Sequence, residues 1–401
     1  MLSALFLEDI GLLLDAASSA GSTVAARLRP RATETATAAD APAVAVFQGA
    51  DAVEQAAADW QAIEYAGGAA TPFQSFAMAR AAADAHRRRN ETPRIAVVRR
   101  DGRPVVILPT VLVSRFGLTV ARFLGDPLIQ YGDALCEPGT ATSYLAAAWR
   151  AAADPAVVHA IHLRKVRADA RIAALLAAEA TASNRDHAPF LDIPRAALNA
   201  DDEPRQLRRA RRKLSALGPL RLDVTQGETA RDHLRDALAI KRSWLAARKL
   251  PSSVIGDGDW EDALAQLVGH GGGMRLRVAV LHVAGRPAAY EVAFTVGDQW
   301  CAFMGAIVED FARHSPGRVQ VAEAIAHCRA NGFARYDLLA PADDVKRGYC
   351  SGTVEVADYA RALRPGGHVL SLAARMSPAA KALFVRLPAS LRKPILTLAG
   401  R

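Results

Sequence analysis

RLRVAVLHVAGRPAAYEVAFTVGDQWCAFMGA, residues 275–306, holds three runs of β-branched and aromatic residues, broken at Ala284-Gly285-Arg286-Pro287 and at Gly297-Asp298. Turn residues between alternating apolar runs predict a three-stranded antiparallel meander. Period-two alternation puts Tyr290, Val292, Phe294 and Val296 on one face of the middle strand, and Ala289, Glu291, Ala293 and Thr295 on the other. A carboxylate among small residues is costly if unpaired. Glu291 is therefore expected either in a salt bridge to an arginine or as a general base on the floor of a cleft, where burial raises its pKa.

Downstream, His314-Ser315-Pro316-Gly317-Arg318 reads as a helix start, with Ser315 as N-cap and Pro316 at the first helical position. Val321, Ile325 and Cys328 form one stripe, and Asn331-Gly332 ends the helix. Free amides, the positive end of the dipole, a glycine and Arg318 together suit a pyrophosphate. Asp337 closes the strand RYDLL (335–339). It either orients Lys346 or an incoming nucleophile, or caps the turn. Tyr349 either packs or protonates a leaving thiolate. In the N-terminal half, Tyr131-Gly132-Asp133 either lines a cleft between lobes or is a loop held by its own hydrogen bonds.

Working outward, the strand RLDV (221–224) and helices near 229–249 and 259–269 precede the meander, and TVEVADYA (353–360) follows it. The order is β-α-α-β-β-β-α-β. Residues 43–194 give a similar order: AVAVF, helices near 51–64 and 74–88, a hairpin over 94–113 turning at Asp101-Gly102, then VARFLG, VVHAIHL and PFLDI. Strands and helices alternate in both, so the expected class is α/β (α+β), a structural duplication without an exact sequence repeat. The expected divisions are a short amphipathic helix and flexible connector (1–42), a first lobe (43–198), a basic linker helix (199–220), a second lobe carrying the transfer site (221–362) and a basic helical tail (363–401).

The 401 residues are 51% hydrophobic and carry a net charge of +9, which favours anionic partners: coenzyme A phosphates, nucleic acid or an acidic membrane face. Charge concentrates at Arg205, Arg208, Arg209, Arg211, Arg212 and Lys213, and in the tail, where no acidic residue follows Asp358. The tail could lie on an anionic membrane or pack as a helix. Cys136, Cys301, Cys328 and Cys350 form no CxxC pair, so neither a zinc site nor a disulfide framework is indicated, and a reducing cytoplasm is expected. The apolar N-terminus lacks a basic start and is interrupted by Glu8, Asp9 and Asp15, unlike a signal peptide or spanning helix. HExxH, GxSxG, Walker and GxGxxG patterns are missing, which disfavours metal hydrolases, serine hydrolases and nucleotide-loop enzymes.

Several short motifs recur in a familiar order: Thr71-Pro72-Phe73-Gln74-Ser75, Leu108-Pro109, Phe123-Leu124-Gly125, Tyr131-Gly132-Asp133, Lys241-Arg242-Ser243-Trp244-Leu245, Gly285-Arg286-Pro287-Ala288-Ala289, Ser315-Pro316-Gly317, Tyr336-Asp337-Leu338-Leu339 and Lys346-Arg347. Across residues 43–359 they resemble the CelD-type (cellulose biosynthesis) proteins of the GNAT superfamily. Val345 replaces that family's usual aromatic, and Ser-Pro-Gly-Arg replaces the superfamily's usual phosphate loop. The resemblance implies tandem GNAT-like domains, similar to the Fem-type transferases, each a mixed and mostly antiparallel sheet flanked by helices. It implies acetyl-CoA or another acyl-CoA as co-substrate, no metal, and a sugar or amine acceptor in polysaccharide, cellulose or envelope synthesis.

On this reading Glu291, Asp337 and Tyr349 are catalytic. Ser315, Gly317, Arg318 and Gly305 bind the cofactor, with a backbone N–H between Cys301 and Gly305 polarising the thioester. Tyr131, Asp133, Lys346 and Trp244 meet the substrate. Two other functions remain open: a Fem-like transferase using aminoacyl-tRNA, with RNA held by the basic linker helix, and a non-catalytic scaffold for a polysaccharide synthase.

Overall fold

A computed structural model describes residues 42–115, 117–193, 204–270, 272–372 and 374. The expected N-terminal helix and most of the basic tail lie outside the described residues.

The first half begins with β1 (Ala43–Gln48), α1 (Ala52–Gln55), α2 (Ala57–Tyr65) and α3 (Phe76–Arg88). It continues through β2 (Thr92–Arg100), β3 (Arg103–Arg115), β4 (Leu118–Phe123), β5 (Leu135–Cys136), α4 (Thr142–Ala152), β6 (Ala160–Arg167), α5 (Ala173–Glu179) and β7 (Thr181–Asp192). After α6 (Arg205–Ser215) the second half opens with β8 (Leu220–Thr225), α7 (Glu228–Ala247), α8 (Gly258–Gln266), β9 (Met274–Val283), β10 (Arg286–Val296) and β11 (Gln299–Ile307). It ends with α9 (Pro316–Ala330), β12 (Arg335–Asp337), α10 (Asp344–Arg347) and β13 (Gly352–Ala362).

All of these strands join one sheet in the order β1-β2-β3-β4-β6-β13-β7-β12-β11-β10-β9-β8, with β5 paired to β3. Parallel pairing occurs at β4–β6 and β11–β12, and the remaining pairs are antiparallel. The two halves mirror each other about the β13–β7 pair, because each half gives its last strand to the other. β13 pairs with β6 of the first half, and β7 with β12 of the second. This exchange explains two departures from the sequence reading. β7 is twelve residues long, starting well before PFLDI, because β13 runs beside it from Thr181 to Phe190. β12 stops at Asp337 because Leu339 turns into the left-handed region (φ 59°).

The alternation expected in β10 is present. Tyr290, Val292 and Phe294 pack with Leu234, Leu238 and Leu245 of α7, whereas Ala293 packs with Ile325 and Cys328 of α9. Helices thus cover both faces, and each of those buried leucines stabilises the fold by about 1.5–3 kcal/mol relative to exposure. The halves share one core: Phe73 stands edge-on to Phe294 at 5.8 Å, and His86 to Trp260 at 5.0 Å. Arg88–Asp259 and Arg89–Asp257 ion pairs, each at 2.8 Å, tie α3 to α8.

Residues 124–133 fill the wedge at the end of β4. Asp126 accepts from Arg122 (2.7 Å) and pairs with Arg164, Lys165 Nζ donates to the Ile129 carbonyl (3.0 Å), and Gly132 N–H donates to the Lys165 carbonyl (3.0 Å). A Cβ on Gly132 would lie 2.3 Å from the Phe123 ring and 2.7 Å from the Arg164 carbonyl. Gly132→Ala is expected to cost about 1–3 kcal/mol by overpacking, read as a lower urea midpoint at unchanged m-value.

Candidate active site

In the second half the corresponding wedge is open. β11 and β12 pair only over Gln299–Cys301 and Arg335–Asp337. β11 then continues to Ile307 paired with β10 but without β12 on its other side. A bulge places two β11 residues beyond Ala302 against one step of β10, since Val292 faces Met304 while Ala293 faces Ala302. Bulges re-aim side chains and end pairing, often beside active sites. The divergence leaves a cleft of about 520 Å³, walled by Lys241, Trp244 and Arg248 of α7, Gly305 of β11, the start of α9 and Val345 of α10.

Ser315, Gly317, Arg318, Gly305 and Trp244, all named from sequence, line this one cleft. Ser315 occupies the expected N-cap position but does not cap the helix with its side chain. It adopts a left-handed conformation (φ 58°, ψ 49°), and its side chain makes no capping bond. Capping hydroxyls normally sit in the β region, from which they reach the second or third amide. Pro316 has no N–H and the Arg318 amide turns back to the Ser315 carbonyl at 3.2 Å. The start of α9 therefore meets the cleft with its dipole unmasked by any side-chain cap.

Lys241 and Arg248 were missed as cleft residues, although their spacing from Trp244 (i, i+3, i+7) puts all three on one helix face. The Lys241 side chain is buried. Its Nζ donates to the Gly305 carbonyl at 3.4 Å and lies 4.7 Å above the Trp244 ring, and the Arg248 guanidinium sits 4.3 Å from the same ring. Burial, with the Arg248 charge, pushes the Lys241 amine down to about 8.

Glu291 lies apart from the cleft. It points to the α9 side, 4% exposed, and accepts from Trp300 Nε1 at 2.9 Å and Tyr336 Oη at 2.6 Å. Neutral donors hold it instead of an arginine, and it is not among the residues that line the cleft. Burial raises its carboxyl to about 7, against the pull of Tyr336 and Trp300.

Asp337 joins the halves. Its carboxylate accepts from Tyr131 Oη (2.7 Å), Arg167 (3.0 Å) and the Leu339 amide (2.8 Å), so turn capping is one of its roles. Arg167 also grips Asp169 through two bonds, at 2.8 and 2.9 Å. Asp133 accepts the amides of Ala134, Arg171 and Ile172 at 2.8, 3.0 and 3.0 Å, while burial pushes its carboxyl up to about 6. Tyr131 and Asp133 thus border a separate cavity of about 140 Å³. Lys346 donates to the Leu339 and Pro341 carbonyls, both at 2.9 Å, and Tyr349 Oη donates to the Arg318 carbonyl at 3.0 Å. Among the described residues no group of three His, Cys, Asp or Glu is placed to hold a metal ion, and no helix is long and apolar enough to cross a membrane.

Residues 203–347 match the family model described as Acetyltransferase (GNAT) domain. This stretch is thus similar to GNAT acetyltransferase domains. Every residue of the cleft, from Ile240 to Val345, falls inside it. Similar solved structures include FemX, at 12% identity and TM-score 0.56 over 78% of this chain and 98% of that one. Another is the C-terminal domain (DUF2156) of a protein named as a lysylphosphatidylglycerol synthetase from Agrobacterium fabrum, at 13% identity and TM-score 0.50 over 79% of this chain and 94% of that one. A tandem GNAT protein from the clavulanic acid biosynthesis pathway overlaps at TM-score 0.43 and 14% identity, over 80% and 99% of the two chains. No curated protein matches the sequence. At such identities the likeness concerns the fold: a mixed, mostly antiparallel GNAT-like sheet with helices on both faces.

Proposed function

We propose that the chain is an acyl-CoA-dependent acyltransferase whose transfer site is the cleft between α7 and the start of α9. The observation that carries this reading is the uncapped beginning of α9, which faces the same cleft as the guanidinium groups of Arg248 and Arg318. Helix-start amides and cations together suit a pyrophosphate, and the edge of β11 that β12 leaves uncovered offers backbone donors beside it. There an acceptor nitrogen or oxygen attacks the thioester carbonyl, the C–S bond breaks, and the acceptor's proton ends on the departing sulfur. One well-placed donor to the developing oxyanion contributes about 2.7–4 kcal/mol. The acceptor we propose is a sugar or amine precursor of cellulose, another polysaccharide or the cell envelope, met in the cytoplasm. Support for that finer part is the CelD-type motif order alone.

In this account Glu291 fixes Trp300 and Tyr336 in the sheet, and Tyr349 steadies the start of α9 through the Arg318 carbonyl. Asp337, Tyr131, Asp133 and Lys346 hold the junction of the halves and the β12–α10 turn behind the cleft. Calorimetric titration with acetyl-CoA should give saturable binding, and Gly317→Val should weaken it at least tenfold, about 1.4 kcal/mol, by placing a branched side chain at the helix start. Undetectable binding at millimolar acetyl-CoA would defeat the reading, and the response to charged tRNA would then separate the aminoacyl-tRNA alternative from the scaffold.

One observation favours the aminoacyl-tRNA alternative. α6 packs through Leu207, Ala210 and Leu214 and leaves Arg205, Arg208, Arg209, Arg212 and Lys213 exposed. If it binds RNA phosphates, charged tRNA should shift in a gel with an affinity that falls steeply with salt, while acetyl-CoA gives no heat.

A further inference from the structure

Lys241 is an odd residue to find in the second layer of a helix–sheet interface. It occupies a position on α7 flanked by Ala237, Leu238 and Leu245, all buried, and is itself only 5% exposed. A buried ammonium is costly unless paired, and among the described residues no carboxylate forms an ion pair with it. Its contacts are the Gly305 carbonyl and the face of Trp244, which occupy one of its three N–H directions and one side of the nitrogen. Lys241 lines the cleft together with Gly305, which lies beyond the point where β11 has parted from β12.

We propose that Lys241 is the general base of the transfer. The inference rests on the acyltransferase reading and adds to it the group that takes the proton. In the neutral state Nζ accepts the proton from the acceptor's amine or hydroxyl as that nitrogen or oxygen bonds to the thioester carbonyl carbon. The C–S bond breaks, coenzyme A departs as the thiolate, and Nζ–H returns the proton to the sulfur, so Lys241 ends as it began. The Gly305 carbonyl holds the amine in position throughout.

The surroundings suit that cycle. The charged groups that line the cleft with Lys241 are Arg248 at the end of its own helix, Arg318 from α9 and Glu309 from the 3-10 turn before α9, the last exposed to solvent. Tyr290 of β10 stands farther along α7, beside His233 (rings 6.0 Å apart) and under the influence of Asp236. Burial and the Arg248 charge lower the amine to about 8, where a base can be both partly neutral at physiological pH and strong enough to accept a proton. Glu291, the base suggested by the strand pattern, has both oxygens engaged on the other face of the sheet.

The test uses the full chain, acetyl-CoA as donor and glucosamine as probe acceptor, with release of coenzyme A thiol followed from pH 6 to 10. Wild type should speed up as pH rises through about 8 and then level. Lys241→Met and Lys241→Arg should both lose on the order of 10²–10⁴-fold in rate, since arginine keeps the charge but does not give it up. Both variants should still bind acetyl-CoA and melt near wild type. A rate that falls through pH 8, or activity kept by Lys241→Arg, would show a fixed cation holding an anion and overturn the proposal.

A second readout needs no turnover. Trace labelling with acetic anhydride, quantified by peptide mass spectrometry, should modify Lys241 ahead of the surface lysines near pH 8, and coenzyme A should block it. Labelling no faster than the surface lysines, or insensitive to coenzyme A, overturns the role even if glucosamine is not accepted. Wild type that binds no acetyl-CoA sinks the acyltransferase reading itself; variants that bind and turn over like wild type sink only the base.

Discussion

Asp337→Ala should lower the unfolding free energy by about 3–5 kcal/mol, the usual cost of removing one partner from a buried ion pair. The carboxylate is 1% exposed and serves three donors at once: Tyr131 and Arg167 from the first half and the Leu339 amide from the second. Truncation leaves a buried hydroxyl and a buried amide unpaired and strips Arg167 of one of its two carboxylates. Arg167 keeps Asp169, which is half exposed and cannot follow it inward. The double variant Arg167→Met/Asp337→Leu should recover part of the loss, because two apolar groups in place of a pair leave less uncompensated polarity. Urea unfolding measures both, and a single-variant loss under 1 kcal/mol would show that this carboxylate contributes little to joining the halves.

Glu291 should make the protein less stable as pH rises. Its carboxyl sits at about 7 in the fold, above the ordinary 4.5, so the folded state holds the proton more tightly than the unfolded chain. Stability from this group is fully present below about 4.5 and is lost progressively as pH climbs through about 7. Between pH 5 and 8 the loss is about 2–3 kcal/mol, at roughly 1.4 kcal/mol per unit of pKa displacement. Glu291→Gln keeps an acceptor for Trp300 and can meet the Tyr336 hydroxyl as donor, yet does not titrate. The stability of wild type minus that of Glu291→Gln, from urea unfolding, should therefore fall by that amount from pH 5 to pH 8. A difference that stays constant would mean that the carboxylate is accommodated as an ion.

The meander was legible because three signals agreed: alternation, turn residues and the two faces of the middle strand. The duplication was legible in element order. What one strand at a time could not reveal is the exchange of β7 and β13, since PFLDI and TVEVADYA carry no mark of which strand they adjoin. That exchange lengthens β7 and brings Arg167 of one half to Asp337 of the other. At the cleft, Ser315, Gly317 and Arg318 were readable from the helix start, and Trp244 from its motif. The conformation of Ser315 was not, because Ser-Pro commonly marks a true cap. Glu291 was recognised as unusual, but the two donors that satisfy it come from β11 and β12, distant in sequence and neutral. Lys241 and Arg248 hid in an ordinary amphipathic helix, where a lysine normally reads as solvent-facing.

The most direct measurement is a crystal structure of the chain grown with coenzyme A. The account predicts the pyrophosphate within hydrogen-bonding distance of the Gly317 amide, Arg318 or Arg248 beside it, and the thiol end running toward Gly305 and Lys241. Coenzyme A bound elsewhere, for example at the cavity bordered by Tyr131 and Arg167, or a cleft left empty at saturating ligand, would contradict it.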